Sequence, residues 1–216
     1  MTWVKGNWRW LALNGLAFVV VADLLRQFAL VDQFSPNYDH LLIYSGKWAI
    51  RFLLLSLSMT PVNALLGWRW AIKLRKPAGL WTFGFGATHL VLNVIGLGEN
   101  WLRAPIPDSS AALGLIGLGI LTAMAATSSQ WAMKRLGKGW KRLHRLVYAA
   151  GLIVVAHALL ESPNKRVAGQ EPQVAVELGL YLLILIVLLA VRIPAIRSAV
   201  ASLKHRPGKT RITADV

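Results

Sequence analysis

The sequence predicts an all-α, polytopic membrane bundle of six transmembrane helices. Three observations carry that reading. Mean hydropathy is +0.51, with 56% hydrophobic and only 15% charged residues, whereas a soluble domain shows far more charge to water. The apolar residues fall in runs long enough to cross a hydrocarbon core of about 30 Å. The basic residues collect between alternate runs.

The runs, in order, are 10–30, 41–66, 79–98, 111–133, 143–160 and 174–191. Asp23 and Arg26 interrupt the first, and its short basic start resembles a leader peptide. No small-x-small cleavage pattern follows it, so it reads as a retained helix. The short connections leave no room for a separate soluble domain, so residues 1–200 read as one domain. Residues 201–216 (ASLKHRPGKTRITADV) read as a disordered cytoplasmic tail. No internal repeat stands out.

Charge sets the orientation. A net charge of +15 would suit nucleic acid, but its distribution does not. About 18 of the 24 basic residues fall at the two termini and in the 67–78 and 131–145 connections, against the single acid Asp215. Cationic loops resist translocation, so both termini and these connections are expected in the cytoplasm. Attraction to anionic headgroups of the bilayer follows as a by-product, and no nucleic-acid partner is expected. The ten tryptophans sit near span ends, as amphipathic rings do at the headgroup level.

The chain has no cysteine, which excludes disulfides, iron–sulfur clusters and thiolate chemistry. Redox chemistry would need a bound cofactor with nitrogen or oxygen ligands.

Histidine is the informative residue. His40 reads as an outer-loop side chain and His205 as part of the tail, whereas His89, His144 and His157 lie on the third and fifth runs. With six spans these two helices are parallel, so depths compare directly. His89 follows Lys76 by 13 residues and His157 follows Arg145 by 12. At 1.5 Å per residue these offsets are about 20 Å and about 18 Å. Two imidazoles at one depth on neighbouring helices can supply both axial ligands of one haem iron, as bundles build cofactor sites from facing side chains. Small residues around them (Gly79, Gly84, Gly86 and Ala87; Ala149, Ala150, Gly151, Ala156 and Ala158) would leave room for a porphyrin. They would equally serve close helix packing, and a membrane histidine can equally be an interhelical hydrogen-bonding group or a proton relay. His144 sits at the cytoplasmic end, level with Arg75 and Lys76. Thirteen residues turn an ideal helix to about 140° from its start, so His144 and His157 share a face only if the helix is distorted.

The segments SGKWAIRFLLLSLSMTP (45–61), GLWTFGFGATHLVLN (79–93), TSSQWAMKRLGKGWKRLHRLVY (127–148) and VVAHALLES (154–162) resemble the MsrQ family. These are haem-binding membrane subunits of bacterial periplasmic methionine sulfoxide reductase systems, within the ferric-reductase-like transmembrane superfamily. The resemblance implies a b-type haem protein of the bacterial inner membrane, with one or two haems. It would pass electrons to a periplasmic molybdopterin catalytic subunit and would not be a stand-alone catalyst. His89 and His157 are the implied iron ligands, with His144 at a second-haem or flavin-side site. Relatives with two stacked haems carry another histidine on the third helix, where this chain has Arg75. The resemblance also implies FMN at Arg75 and Lys76, and a cytosolic flavin reductase or the quinone pool as electron donor. Arg51 is a candidate haem propionate contact.

Two other functions stay open at this level. A free-standing ferric or cupric reductase would draw metal cations to outer acids such as Asp39, Glu99 and Glu161. A non-redox transporter or assembly protein would use the histidines for protons or packing.

Overall fold

Every described residue of any length of regular structure is helical. The computed structural model describes residues 2–31, 37–98, 109–161, 171–193 and 196. The helices are α1 (Thr2–Leu30), α2 (Asn37–Leu66), α3 (Arg69–Leu97), α4 (Ser109–Ala126), α5 (Gln130–Leu136), α6 (Lys138–Arg145), α7 (Val147–Glu161) and α8 (Glu171–Ala190). Six spans are long and apolar enough to cross a membrane, α6 and α7 forming one of them between Lys138 and Glu161. The chain is a multi-pass membrane protein. The tail at 201–216 lies outside the described residues.

The charges inside the first span are neutralised locally. Arg26 pairs with Asp23 one turn away at 2.9 Å, and Gln27 donates to the same carboxylate at 2.7 Å. The expected break in this span therefore costs α1 nothing in continuity. Farther along, Trp81 Nε1 of α3 donates to Asn14 Oδ1 of α1 at 2.9 Å, a polar tie between two lipid-facing helices.

α2 is the hub. Half of its most apolar window is buried inside the bundle, against 17–22% for the other spans. One core cluster joins it to α1 and α3 through Ala17, Leu41, Phe52, Ala78 and Phe85. A second joins it to α7 and α8 through Leu53, Leu57, Val155 and Leu185. Pro61 lies inside α2 and has no N–H to give, so the carbonyl of Leu57 four residues earlier lacks its helical donor. Arg192, just beyond α8, fills that vacancy through Nη2.

The connections at the basic end differ from the sequence expectation. Residues 67–78 are not a loop: only Gly67 and Trp68 separate α2 from α3, and Gly67 takes φ 71°, a left-handed turn that glycine adopts without a Cβ clash. Arg75 and Lys76 are thus in the second turn of a helix. The fourth run stops at Ala126, not 133, and residues 131–145 form two short helices. Ser129 caps α5 by accepting from Ala132 N at 3.1 Å, Lys134 and Arg135 favour its C-terminal dipole, and Gly137 (φ 48°) turns the chain into α6. His40 likewise lies in the first turn of α2 and not in a loop.

Candidate functional site

α3 and α7 bring His89 and His157 together. Their ring centroids are 6.3 Å apart and their planes meet at 73°. The depth match read from the sequence thus corresponds to proximity in space.

Each imidazole is oriented from behind by its neighbouring helix. His89 Nδ1 lies 3.0 Å from the carbonyl oxygen of Leu42, and His157 Nδ1 lies 2.7 Å from that of Ser110. A carbonyl only accepts, so both Nδ1 atoms carry the proton and donate. That tautomer leaves each Nε2 with its lone pair, the arrangement by which a ligating histidine is normally held. Ser45 Oγ, which donates to Leu42 O at 2.8 Å, lies 3.2 Å from His89 Nδ1 and adds a second oxygen there.

Two glycines let the rings lie flat against the neighbouring helices. A Cβ at Gly46 of α2 would stand 3.3 Å from the His89 ring, and one at Gly114 of α4 would stand 3.0 Å from that of His157. The small residues flanking the histidines have other work. Gly86 faces Leu118 of α4, Gly151 faces Leu185 of α8, and Gly79 faces Ser56 of α2, which are helix–helix contacts. Sequence reasoning missed Gly46 and Gly114, yet a signal was present. Gly46 precedes His89 by the same 43 residues that separate Gly114 from His157, and both carbonyl partners lie 47 residues before their histidine. The α2–α3 and α4–α7 hairpins repeat one local geometry.

The arrangement offers two nitrogen donors and no more. Among the described residues no group of three His, Cys, Asp or Glu side chains could hold a metal ion, so a zinc site of four protein ligands is not available. A metal held here would be bound by the two imidazoles and would bring its remaining ligands with it. With metal–nitrogen bonds of about 2 Å, ring centroids 6.3 Å apart leave room for one metal between the two imidazoles. The residues present fit such a group.

His144 is in a different setting. Its ring stacks on Trp140 at 4.1 Å, and its Nε2 lies 3.2 Å from Thr127 Oγ1. Thr127 donates its own proton to Ala123 O at 2.7 Å, so it accepts from His144 Nε2–H. The angle of about 140° expected of an ideal helix between His144 and His157 does not apply, because the helix is not continuous. The helix is interrupted at Leu146, whose N–H turns back to Leu143 O at 3.0 Å, between α6 and α7.

Arg75 contributes its carbonyl to Ser56 Oγ at 3.0 Å, and Lys76 is exposed. Arg51 stands nearer the opposite end of the bundle, where Nε donates to Tyr181 Oη at 2.7 Å and Nη2 pairs with Glu177 at 2.6 Å. Lys47, one turn earlier on α2, takes the other Glu177 oxygen at 2.5 Å. Nothing in the sequence pattern brought these side chains together.

Fold and site define a class. Residues 45–155 match the family described as ferric reductase like transmembrane component, a stretch that runs from Ser45 in α2 to Val155 in α7. The chain is 34% identical over 161 residues to a protein-methionine-sulfoxide reductase heme-binding subunit MsrQ from Bordetella pertussis, covering 70% of this chain and 68% of the relative. An MsrQ from Rhizobium meliloti is 34% identical over 160 residues, with 72% and 68% covered. One from Azospira oryzae is 35% identical over 154 residues, with 68% and 62% covered. No solved structure matches the chain. The chain belongs to the MsrQ family of ferric-reductase-like transmembrane proteins.

Proposed function

We propose that this chain is the haem-carrying electron-transfer subunit of a protein-methionine-sulfoxide reductase system in the bacterial inner membrane. The observation that carries the reading is the facing pair His89 and His157, each with Nδ1 donating to a backbone carbonyl, the tautomer that keeps the lone pair on Nε2. His89 and His157 would be the axial ligands of a b-type haem. When bound, that group supplies one-electron exchange with no coordination position open to a substrate.

The residues of this chain do the rest. The Leu42 and Ser110 carbonyls fix the ligand tautomers, and Gly46 and Gly114 set how close each ring lies to its helix. Arg51 Nη1, which the Glu177 and Tyr181 bonds do not use, is the donor left for a propionate. A second haem at His144 would have to bind through Nδ1 or displace the Thr127 bond, and Arg75 stands where a histidine partner would be needed. We therefore favour one haem, with His144, Arg75 and Lys76 at a flavin-side entry point where FMN would bind. The excess of Lys and Arg in the basic connections supports a cytoplasmic position for that end and for both termini. Electrons would come from a flavin reductase or the quinone pool and leave at the opposite end to a periplasmic molybdopterin catalytic subunit.

The test is a reduced-minus-oxidised visible spectrum of the purified chain in detergent, with haem quantified per chain. Low-spin b-type bands near one haem per chain, lost in both His89→Ala and His157→Ala, are expected. Protein made with ample haem that stays folded and shows no haem bands would overturn the reading.

A further inference from the structure

A cavity of about 210 Å³ lies at the basic end of the bundle, away from the imidazole pair. It is lined by Thr60, Pro61 and Ala64 of α2, Tyr148 of α7, and Val191 and Arg192 beyond α8. Three features of its wall point the same way.

First, the cavity wall carries a cation that no acid balances. Among the described residues no carboxylate pairs with Arg192, whose guanidinium lies over the Tyr148 ring with its carbon 4.6 Å from the centroid. Burial and the nearby Arg75 guanidinium both pull Arg192 below its ordinary range, as an unbalanced cation beside another requires. Second, donors are left over. Arg192 Nη1 donates to Tyr148 Oη and Nη2 to Leu57 O, but Nε is buried without an acceptor, as is Thr60 Oγ1. Buried donors without acceptors are uncommon, because they lose water and gain nothing. Third, the cation is held in place by the backbone: the carbonyl that Pro61 leaves without a helical donor is the one that anchors Arg192. A guanidinium so fixed, with hydroxyls of Thr60 and Tyr148 beside it, suits a ligand with several anionic oxygens.

We propose that this cavity binds a phosphate group. Its source is either the headgroup of an anionic phospholipid, since the site lies at the end of the spans beside the basic connections, or a soluble phosphate ester. The site stands independently of the haem reading: neither His89 nor His157 lines it.

The experiment is thermal unfolding of the full-length, delipidated chain in detergent, titrated separately with short-chain phosphatidylglycerol, inorganic phosphate and a phosphate-free glycolipid. Wild type is compared with Thr60→Val and Arg192→Gln. Stabilisation by phosphatidylglycerol alone identifies a headgroup site, and stabilisation by inorganic phosphate as well identifies a soluble ligand. In either case each variant should weaken the apparent affinity about tenfold, the usual consequence of losing a hydrogen bond to a charged group. The proposal fails if neither phosphate probe stabilises wild type more than the glycolipid does, or if the variants respond as wild type does. Thr60→Val changes little but the hydroxyl, so it decides the matter even if Arg192→Gln does not fold.

Discussion

Gly114 stands against His157 so closely that a Cβ at that position would lie 3.0 Å from the imidazole Cε1. The ring cannot swing away without giving up its 2.7 Å bond to Ser110 O. Gly114→Ala is therefore expected to cost about 1–3 kcal/mol, the usual range for overpacking, and to lower the haem retained per chain. Gly46→Ala, with 3.3 Å to the His89 ring, should cost less. Thermal unfolding and haem content of the two variants check the order, and equal tolerance at both sites would mean that the rings are not fixed as described.

The 73° between the imidazole planes has a spectroscopic consequence. Low-spin ferric iron between nearly perpendicular axial imidazoles gives a strongly anisotropic electron paramagnetic resonance signal, whereas parallel rings give an ordinary rhombic one. The oxidised protein is expected to show the former. A purely rhombic spectrum would show that the rings rotate when the group binds.

At the other polar cluster, Glu177 of α8 holds Lys47 and Arg51 of α2 together. Glu177→Gln leaves two cations one turn apart with no carboxylate between them. Breaking a fully buried pair costs about 3–5 kcal/mol, and because Glu177 keeps 25% exposure the expected loss here is smaller, about 1–2 kcal/mol. Replacing Lys47 by Met in the same chain should recover part of the loss. A double-mutant cycle with no coupling between the two positions would rule out a shared carboxylate.

Trp81 and Asn14 provide a milder test of helix association. Trp81→Phe keeps most of the ring and removes the donor of the 2.9 Å bond to α1. Interhelical hydrogen bonds in membranes average about 0.6 kcal/mol, so a small fall in midpoint is expected, with spectra of the imidazole site unchanged. A large fall would show that α1 docks chiefly through this bond.

Much of this structure was legible in the residues. Six spans followed from hydrophobic run lengths, because hydrocarbon thickness fixes how many apolar residues a helix needs. The pairing of His89 with His157 followed from equal rise along two parallel helices, a calculation that needs no tertiary information. What stayed hidden depended on the neighbouring helix. Arg75 and Lys76 read as loop residues because cations and Pro77 ended the apolar run, yet α3 runs on through Pro77, whose missing N–H costs the helix one backbone bond. Gly46 and Gly114 looked like any other small residues, since what sets them apart is the ring across the interface. Glu177 could be placed near the outer end of its span, but not against Lys47 and Arg51.

The hairpin repeat makes the two imidazole positions near-equivalents of each other. Exchange the α2–α3 unit for α4–α7, and carbonyl, glycine and histidine all fall on equivalents: Leu42, Gly46 and His89 on Ser110, Gly114 and His157. The exchange carries α2 onto α4 and α3 onto α7, so it relates the two flanks of the site and leaves the two ends of the bundle distinct. One mark breaks the equivalence: Ser45 sets a hydroxyl behind His89, where the matching position behind His157 is Leu113. A difference between the two imidazoles therefore starts from Ser45, while the ends of the bundle carry different groups, Arg192, Arg75 and His144 at one and the Lys47–Glu177–Arg51 cluster at the other.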